Sequence, residues 1–246
     1  MSAVRTARER ARAELTREIK DEARRQLAAV GADGLSLRAV ARELGMVSSA
    51  LYRYFPSRDE LLTALIVDAY GALAAAAESA DEQGEAPRTR FRAVCAAVRA
   101  WSRANPHEYA LIYGSPVPGY SAPQITVESA ARIPMALLGI VRAAWADGAA
   151  GAAECADGAA GAAPVSARPS SPPALTPGLA AQMRAVADQF APELPGYALA
   201  DALLVWTQLF GIISFELFGQ LVGSADPSDE FFAYAVERMA DQIGLP

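Results

Sequence analysis

The sequence predicts an all-α protein in which a small helix-turn-helix unit precedes a larger all-helical body. The chain is rich in alanine and leucine and has few runs of β-branched residues, which favours helix over strand. Apolar residues recur at spacings of three and four in one segment after another, as in amphipathic helices. A hydrophobic fraction of 52% also excludes a wholly disordered chain.

The first predicted helix runs over about residues 6–30 and ends at Gly31. One apolar stripe follows its length: Leu15, Ile19, Ala23, Leu27 and Val30. Its other faces alternate arginine with glutamate, as in the pair Arg5 and Glu9. This pattern is typical of a solvated helix face, and the alternative is a basic arm that reaches towards phosphates.

Two short helices are predicted around Gly45. Ser36 can cap the first, residues 37–44, because its hydroxyl can accept a hydrogen bond from an amide one turn on. The second, about residues 47–55, ends at Pro56, which cannot continue a helix. Small Ala41 at the crossing point, Gly45 four residues later and Leu51 six residues after that have the spacing of a helix-turn-helix. A helical hairpin whose polar face meets only water is the alternative.

The second short helix carries two different faces on a helical wheel. Val47, Leu51 and Phe55 fall on the predicted core face. The opposite face presents Ser48, Ser49, Tyr52 and Arg53. Small polar residues let a helix approach base edges, a tyrosine can bond a phosphate oxygen, and an arginine can pair with phosphate or guanine.

Charge supports a nucleic-acid partner for this part of the chain. Residues 1–60 carry 12 lysines and arginines against 9 aspartates and glutamates, a net charge of +3, whereas residues 61–246 carry 10 against 19, a net charge of −9. This asymmetry is typical of a small module that faces a polyanion and is attached to an acidic body. A chance excess of three positive charges is the alternative.

A long fourth helix and several further helices follow. Ser57 and Glu60 form a capping-box pattern at its start. Its predicted buried side consists of Leu61, Leu62, Leu65, Ile66, Ala69 and Leu73. Further helices are predicted at about 87–103, 106–113, 128–146, from 176 onwards, 197–222 and 226–243, with a Pro- and Gly-rich loop at 114–123. Residues 147–175 form a low-complexity Ala, Gly, Pro and Ser insert, which we predict to be a mobile loop.

The segment GLSLRAVARELGMVSSALYRYFPSRDELLTAL, residues 34–65, resembles the DNA-binding region of the tetracycline-repressor (TetR) family of bacterial transcription regulators. The hallmark of that family is a helix-turn-helix that ends in a Leu-Tyr-x-His-Phe-like motif before a capped fourth helix. The resemblance implies a three-helix DNA-binding domain over residues 1–56. It also implies an all-helical ligand-binding and dimerisation domain over residues 57–246, connected through the fourth helix.

Two widely separated cysteines, Cys95 and Cys155, and an N-terminus unlike a secretory signal predict a cytoplasmic location, and the resemblance further implies a ligand-responsive repressor. Such a protein binds a palindromic operator in double-stranded DNA as a homodimer and is released by a small-molecule effector. Residues 99–120 and 206–219 are similar to the regulatory domain of a subgroup named for a Trp-His-Gly motif, although Phe210 precedes Gly211 where that subgroup often has histidine.

The resemblance carries individual roles onto matching positions. Ser48, Ser49 and Ala50 correspond to groove-facing residues, and Tyr52 and Arg58 correspond to phosphate contacts. The full predicted DNA-binding set is Ser36, Arg38, Ser48, Ser49, Ala50, Tyr52, Arg53, Tyr54 and Arg58. Two positions depart from the family pattern, since Val47 stands where a capping serine or threonine is frequent and Tyr54 replaces a frequent histidine.

An effector pocket and a dimer interface are expected in the C-terminal part. Candidates for the lining of a pocket for a largely apolar effector are Trp101, Tyr109, Tyr113, Met135, Trp145 and Phe210, each of which could instead be core. Candidates for a two-fold interface are Gly211, Ser214, Phe215, Phe218 and Gly219. Ordinary packing within one chain is the alternative for this second set.

Other functional classes find little support in the sequence. Cys95 with His107, or His107 with Glu108, would be the best constituents of an enzyme, but no nucleophile motif, phosphate loop or metal-ligand spacing accompanies them. We therefore predict no enzyme, no cofactor and no metal site. The arginine-rich N-terminus does not resemble a secretory signal, and the uncharged stretch 202–215 is too short to span a bilayer, so no membrane partner is expected. An all-helical interaction adaptor without DNA binding remains the alternative function.

Overall fold

The computed structural model describes the backbone of residues 2–157 and 174–246 and the side chains of residues 6–148 and 174–246. The described residues form ten helices and no strand, which confirms the predicted all-α class. The helices are α1 (Ser2–Val30), α2 (Leu37–Glu43), α3 (Ser48–Leu51), α4 (Arg58–Ala80), α5 (Pro87–Ala104), α6 (Pro106–Tyr113), α7 (Gln124–Asp157), α8 (Pro177–Phe190), α9 (Gly196–Leu217) and α10 (Asp229–Gln242).

The chain divides into two compact units. The first unit consists of residues 1–72 and 102–130, and the second unit consists of residues 73–101 and 131–246. The predicted functional boundary at residue 56 follows a different criterion, because it separates DNA contacts from the rest of the chain. It stays a prediction.

The core of the first unit is formed by the apolar sides of α1 to α4. Ile19, Ala23 and Leu27 of α1 are buried as predicted, and Leu15 packs partly buried against them. Val30 is exposed, contrary to the predicted stripe, because it is the last helical residue and Gly31 turns the chain with a φ of 72°. All six apolar residues predicted for the buried side of α4 are buried: Leu61, Leu62, Leu65, Ile66, Ala69 and Leu73.

Three helix boundaries in the second half differ from the sequence prediction. Helix α7 extends to Asp157, so the first part of the predicted mobile loop at 147–175 is helical; alanine dominates there and is the best helix former. Residues 158–173 of that insert lie outside the described residues. Helix α9 ends at Leu217 instead of about residue 222, since Gly219 turns the chain with a φ of 74°. Helix α10 begins at Asp229 and not at residue 226.

Ion pairs connect α5 to α10 within the second unit. Arg88 Nη1 donates to Glu237 Oε2 at 2.9 Å, and its Nη2 donates to the Leu245 carbonyl at 3.1 Å. Arg92 donates to both carboxylate oxygens of the same Glu237, at 2.5 and 2.7 Å. These contacts hold the C-terminal helix against α5.

By length and composition alone, three described helices could cross a membrane: Arg58–Ala80, Gln124–Gly148 and Gly196–Leu217. The sequence argument considered only the uncharged stretch 202–215, whereas the whole of α9 is long enough. Helix length therefore does not exclude a membrane span, and the absence of a membrane partner stays a prediction.

Candidate nucleic-acid interface

The joint between α2 and α3 is fixed by local hydrogen bonds around two residues. The Ala39 amide donates to the Ser36 hydroxyl oxygen at 3.4 Å, which confirms the predicted cap of α2. Helix α2 ends at Glu43; Gly45 then turns the chain with a φ of 65°, and the next amide, of Met46, donates back to the Ala41 carbonyl at 2.8 Å. This return bond, together with the left-handed glycine, fixes the turn of the helix-turn-helix.

Helix α3 is shorter than the predicted span of residues 47–55. It ends at Leu51, and the amides of Arg53 and Tyr54 donate three residues back, to the carbonyls of Ala50 and Leu51, at 3.3 and 2.8 Å. Bonds of this type tighten the last turn of a helix into 3₁₀ geometry. The segment 52–54 therefore continues the direction of α3 as turns.

The predicted core face of this segment is confirmed at two of its three residues, and the prediction is wrong at the third. Leu51 and Phe55 are buried. Val47 is 71% exposed, because it is the N-cap of α3 with extended backbone and does not lie on the helical wheel at all. No side-chain hydrogen bond caps α3 at this residue.

The outer side of the helix-turn-helix presents polar and basic side chains. Arg38, Ser49, Tyr52 and Arg53 are exposed, and Ser36, Ser48, Ala50, Tyr54 and Arg58 are half-buried. Arg42 is also exposed and pairs with its neighbour Glu43 at 3.3 Å. The structure therefore brings predicted DNA-binding residues from α2 and α3 to the surface while Leu51 anchors them from behind.

Arg12 of α1 joins this surface, although no residue-level prediction included it. Its guanidinium lies over the Tyr54 ring, 5.2 Å from the ring centroid, and its Nη2 donates to the Arg53 carbonyl at 3.5 Å. A cation over a tyrosine face is attracted by the ring. The only sequence signal was the alternation of charges along α1, which did not single out one arginine.

Arg58, whose predicted phosphate contact stays a prediction, also donates hydrogen bonds within the protein. Its Nη2 donates to the Ala32 carbonyl at 2.7 Å, and its Nε donates to the Leu35 carbonyl at 3.2 Å. These bonds connect the start of α4 to the loop between α1 and α2. Arg58 thus supports the position of α2, a role that sequence reasoning did not predict.

A charged cluster centred on Arg24 connects three helices of the first unit. The Arg24 guanidinium donates to Asp21 on α1 at 2.7 Å, to Asp68 on α4 at 2.7 Å and to Glu108 on α6 at 3.0 Å. Lys20 also pairs with Asp68, at 2.7 Å. Helix α6 is thereby tied to the same arginine as the long helix α4.

The six predicted pocket residues are divided between the two units, and the pocket itself stays a prediction. Tyr109 and Tyr113 belong to the first unit, where their ring centroids are 5.3 Å apart and burial raises the pKa of the Tyr113 phenol. The other four belong to the second unit: Trp101, Met135, Trp145 and Phe210. A cleft of about 230 Å³ in the first unit is lined by none of the six; Leu27, His107 and Val117 are among its lining residues.

The predicted dimer residues lie on or beside an exposed apolar surface. Phe215 is 57% exposed and Phe218 is 46% exposed, while Gly211 and Ser214 are half-buried. Helix α10 adds Phe231 and Tyr234, of which the second is 63% exposed. We call the six exposed apolar residues of this region the α9–α10 surface: Leu203, Leu204, Phe215, Phe218, Phe231 and Tyr234.

Of the residues considered for an enzyme, Cys95 lies in the second unit, and His107 and Glu108 lie in the first. Cys95 of the second unit is fully buried, and burial raises the pKa of its thiol, whereas a nucleophilic thiol needs a lowered pKa. In the first unit, Glu108 is engaged by Arg24. Among the described side chains, no cluster of histidine, cysteine and carboxylate residues could hold a metal ion.

Comparisons with known proteins agree with this geometry. Two family descriptions match the chain: "Bacterial regulatory proteins, tetR family" over residues 19–65 and "Tetracyclin repressor-like, C-terminal domain" over residues 91–239. An HTH-type transcriptional regulator of Mycobacterium tuberculosis is 39% identical over 213 residues, which cover 85% of this chain and 83% of the relative.

Solved structures give the same result. The crystal structure of the protein SCO4313, described as a regulatory protein, is 34% identical with a TM-score of 0.71, and the match covers 94% of this chain and 97% of that one. A protein of unknown function from Rhodococcus sp. RHA1 is 27% identical with a TM-score of 0.64, over 94% and 95% of the two chains. Both matches extend over almost the whole length of this chain and of its relative.

Proposed function

The chain belongs to the tetR family of bacterial regulatory proteins, and from this premise we propose that it is a repressor that binds a palindromic operator as a homodimer and leaves it when an effector binds. Its activity as a transcriptional regulator with a helix-turn-helix DNA-binding domain follows from the family itself. The repressor role, the dimer and the effector are the parts that we propose. In this proposal residues 1–56 read DNA in the cytoplasm and residues 57–246 bind the effector and the second copy.

The observation that carries the proposal is the division of the α3 segment into two sides. Leu51 and Phe55 are buried, whereas Ser49, Tyr52 and Arg53 are exposed. An α-helix fits the major groove when its outer residues are small or able to bond base edges and phosphates. We assign Ser48, Ser49 and Ala50 to the groove, Arg53 to guanine or phosphate, and Tyr52 to a phosphate oxygen.

The basic side chains around α3 give the surface its charge. Arg38 and Arg42 of α2 are exposed, and Arg12 stands over Tyr54. We propose that these three arginines contact phosphates on either side of the groove, because contacts to the backbone fix the register of a recognition helix. Arg58 donates hydrogen bonds to the loop between α1 and α2 and so holds the loop that positions α2.

The second copy is proposed to cover the α9–α10 surface. Both α9 and α10 expose large apolar side chains, and large exposed apolar patches mark protein interfaces. A palindromic operator requires two α3 segments, because its two half-sites, one helical turn apart, are roughly 34 Å from each other. The occupant is therefore a second copy of this chain.

The effector is proposed to be largely apolar and to be bound by aromatic and other apolar residues of the C-terminal part. Trp101, Met135, Trp145 and Phe210 of the second unit are the candidates, with Tyr109 and Tyr113 of the first. The Trp-His-Gly subgroup also stays a prediction. An effector releases DNA only if it binds one conformation of the dimer more tightly than the DNA-bound conformation. In that favoured conformation the two DNA-binding domains must fit the operator poorly.

Selection of bound sequences from random DNA tests the proposal directly. We expect an enriched palindrome whose binding survives heparin competition and whose affinity falls about 10³-fold or more between 50 and 200 mM salt. Candidate apolar metabolites are then added to the complex to detect release. Absence of any enriched sequence from a folded protein would support an adaptor without DNA binding.

A further inference from the structure

The segment that joins α9 to α10, residues 218–228, contains no helix and turns sharply. Gly219 and Gly223 have positive φ angles of 74° and 80°, which side-chain-bearing residues rarely adopt. A segment without regular structure does not by itself fix the distance between the helix ends that it connects. A contact that reaches both helix ends can therefore act together with the turns of this segment and the packing of α9 on α10 in setting how the end of α9 lies against the start of α10.

Arg99 of α5 contacts both helix ends with one guanidinium. Its Nε and Nη2 each donate to a carboxylate oxygen of Glu216, in the last turn of α9, at 2.8 Å. Its Nη1 donates to Asp229 Oδ1 at 2.9 Å, and its Nη2 also donates to the Ser228 hydroxyl at 3.1 Å. The guanidinium carbon lies 4.7 Å from the centroid of the buried Phe232 ring.

The central pair of this arrangement is nearly buried. The Arg99 side chain is 11% exposed and that of Glu216 is 12% exposed. A bidentate arginine–carboxylate pair has a defined geometry, and removal of one buried partner leaves an uncompensated charge. The position of Glu216 relative to Asp229 is therefore set by the planar fork of Arg99.

We propose that Arg99 is a positioning residue for self-association with a second copy of this chain. Glu216 lies between the exposed Phe215 and Phe218, and Asp229 lies two residues before the exposed Phe231. By holding both carboxylates, Arg99 fixes the spacing of the phenylalanines that α9 and α10 contribute to the α9–α10 surface. The inference rests on the proposed dimer and names the residue that shapes its interface.

Other arginines of α5 bond α10 without reaching α9. Arg92 pairs with Glu237, and Arg88 contacts Glu237, Asp241 and the Leu245 carbonyl. They hold the later turns of α10 against α5 and leave the α9–α10 junction to Arg99. Arg92→Met is therefore a matched control, because it removes an α5–α10 ion pair and keeps the junction.

The test compares the dimer dissociation constants of the full-length wild type, Arg99→Met, Arg99→Lys and Arg92→Met by sedimentation velocity. All are measured at a temperature where circular dichroism shows each protein folded. Arg99→Met removes the charge, and Arg99→Lys keeps a charge that cannot form the bidentate pair. We expect Arg99→Met to raise the dissociation constant about tenfold or more, Arg99→Lys to lie between it and the wild type, and Arg92→Met to change it less than about twofold.

A double-mutant cycle with Phe218→Ala separates positioning from general stability. If Arg99 acts through the phenylalanines, the two substitutions combine to less than the sum of their separate effects on dimerisation. A folded Arg99→Met with the wild-type dissociation constant, or an equal effect of Arg92→Met, would overturn the inference. Should Arg99→Met not fold, Glu216→Gln is judged by the same criteria. A monomeric wild type would instead refute the proposed dimer itself.

Discussion

The two surfaces assigned to macromolecular partners differ in what they expose above a buried core. The α3 segment exposes Ser49, Tyr52 and Arg53 above the buried Leu51. The α9–α10 surface exposes Phe215 and Phe218 above a buried core of its own. Each surface has a rigid apolar support, so the chemistry of the outer residues distinguishes a DNA-binding surface from a self-association surface.

This difference separates the two association reactions physically. Contacts to phosphates release counterions and weaken steeply as salt rises. Burial of phenylalanine removes apolar area from water, which depends little on ionic strength over the same range. A single salt series should therefore dissociate the protein from DNA while it leaves the dimer intact.

The largest expected effect is on operator affinity, when polar side-chain groups of the α3 segment are removed. Tyr52→Phe combined with Arg53→Ala should lower operator affinity about 100-fold or more, because a guanine or phosphate contact contributes roughly 1–3 kcal/mol and each dimer loses two sets. Fluorescence anisotropy with the selected operator at fixed salt measures this change. The sedimentation behaviour should stay that of the wild type.

Arg132→Ala is the control for that double substitution. It removes an arginine of the second unit, paired with Glu78 at 2.6 Å, and should leave operator affinity within about twofold. Unchanged affinity in the folded double mutant would contradict the assignment of α3 as the recognition helix.

A charge placed on the α9–α10 surface should weaken dimerisation, which the substitutions in α3 leave unchanged. Phe218→Glu should raise the dimer dissociation constant about 100-fold, since an unpaired carboxylate is costly to bury in an interface. Sedimentation velocity over a concentration series detects the shift. Phe190→Glu, at another exposed phenylalanine on α8, should leave the dimer intact; a loss of dimer there as well would mean that the surface is assigned wrongly.

Local signals in the sequence predicted much of the first surface. The cap at Ser36, the turn at Gly45 and the start of α4 at Ser57 depend on neighbouring residues, and the structure has all three. The prediction that Val47 lies on the core face was wrong because the helical wheel assumed a helix over residues 47–55, whereas α3 has a single turn. The contact of Arg12 with Tyr54 joins distant parts of the chain, and no local pattern reveals it.

The second unit was less predictable for a different reason. Its aromatic residues could be core, pocket or interface, and their spacing on a helix is the same in each case. Trp145 is exposed and Phe210 is buried, although both were candidates for one pocket. No local sequence pattern indicated the role of Arg99, because its partners lie more than 100 residues away along the chain.

Glycine substitutions should have opposite effects on stability in the turn of the first unit and in a long helix of the second unit. Gly45→Ala should destabilise the first unit by about 1–2 kcal/mol, because Gly45 has a φ of 65° and open space around it, so that only backbone strain opposes the methyl group. Urea unfolding monitored by circular dichroism measures the loss.

Gly139→Ala is the matched substitution in the second unit. Gly139 lies within α7, has no positive φ and also has open space around its Cα, so alanine should stabilise by about 0.5–1 kcal/mol. Effects of the same sign at both positions would show that strain at Gly45 does not control the turn.

The smallest expected effect concerns the missing cap of α3. Val47→Ser places a hydroxyl at an exposed N-cap that has extended backbone and no capping bond. The free energy of unfolding should rise by about 0.5–1 kcal/mol. An equal gain for Val47→Ala in the same denaturant titration would contradict capping as the cause.

The Arg24 cluster has an evolutionary consequence. A single guanidinium is bonded to Asp21, Asp68 and Glu108, which come from three helices. Loss of Arg24 would leave three carboxylates with Lys20 on Asp68 as their remaining cation in the cluster, and loss of one carboxylate would weaken the selection that keeps the arginine. Positions 24, 68 and 108 should therefore change together among homologues, and their joint substitutions should mark lineages in which α6 has acquired a different connection to α1 and α4.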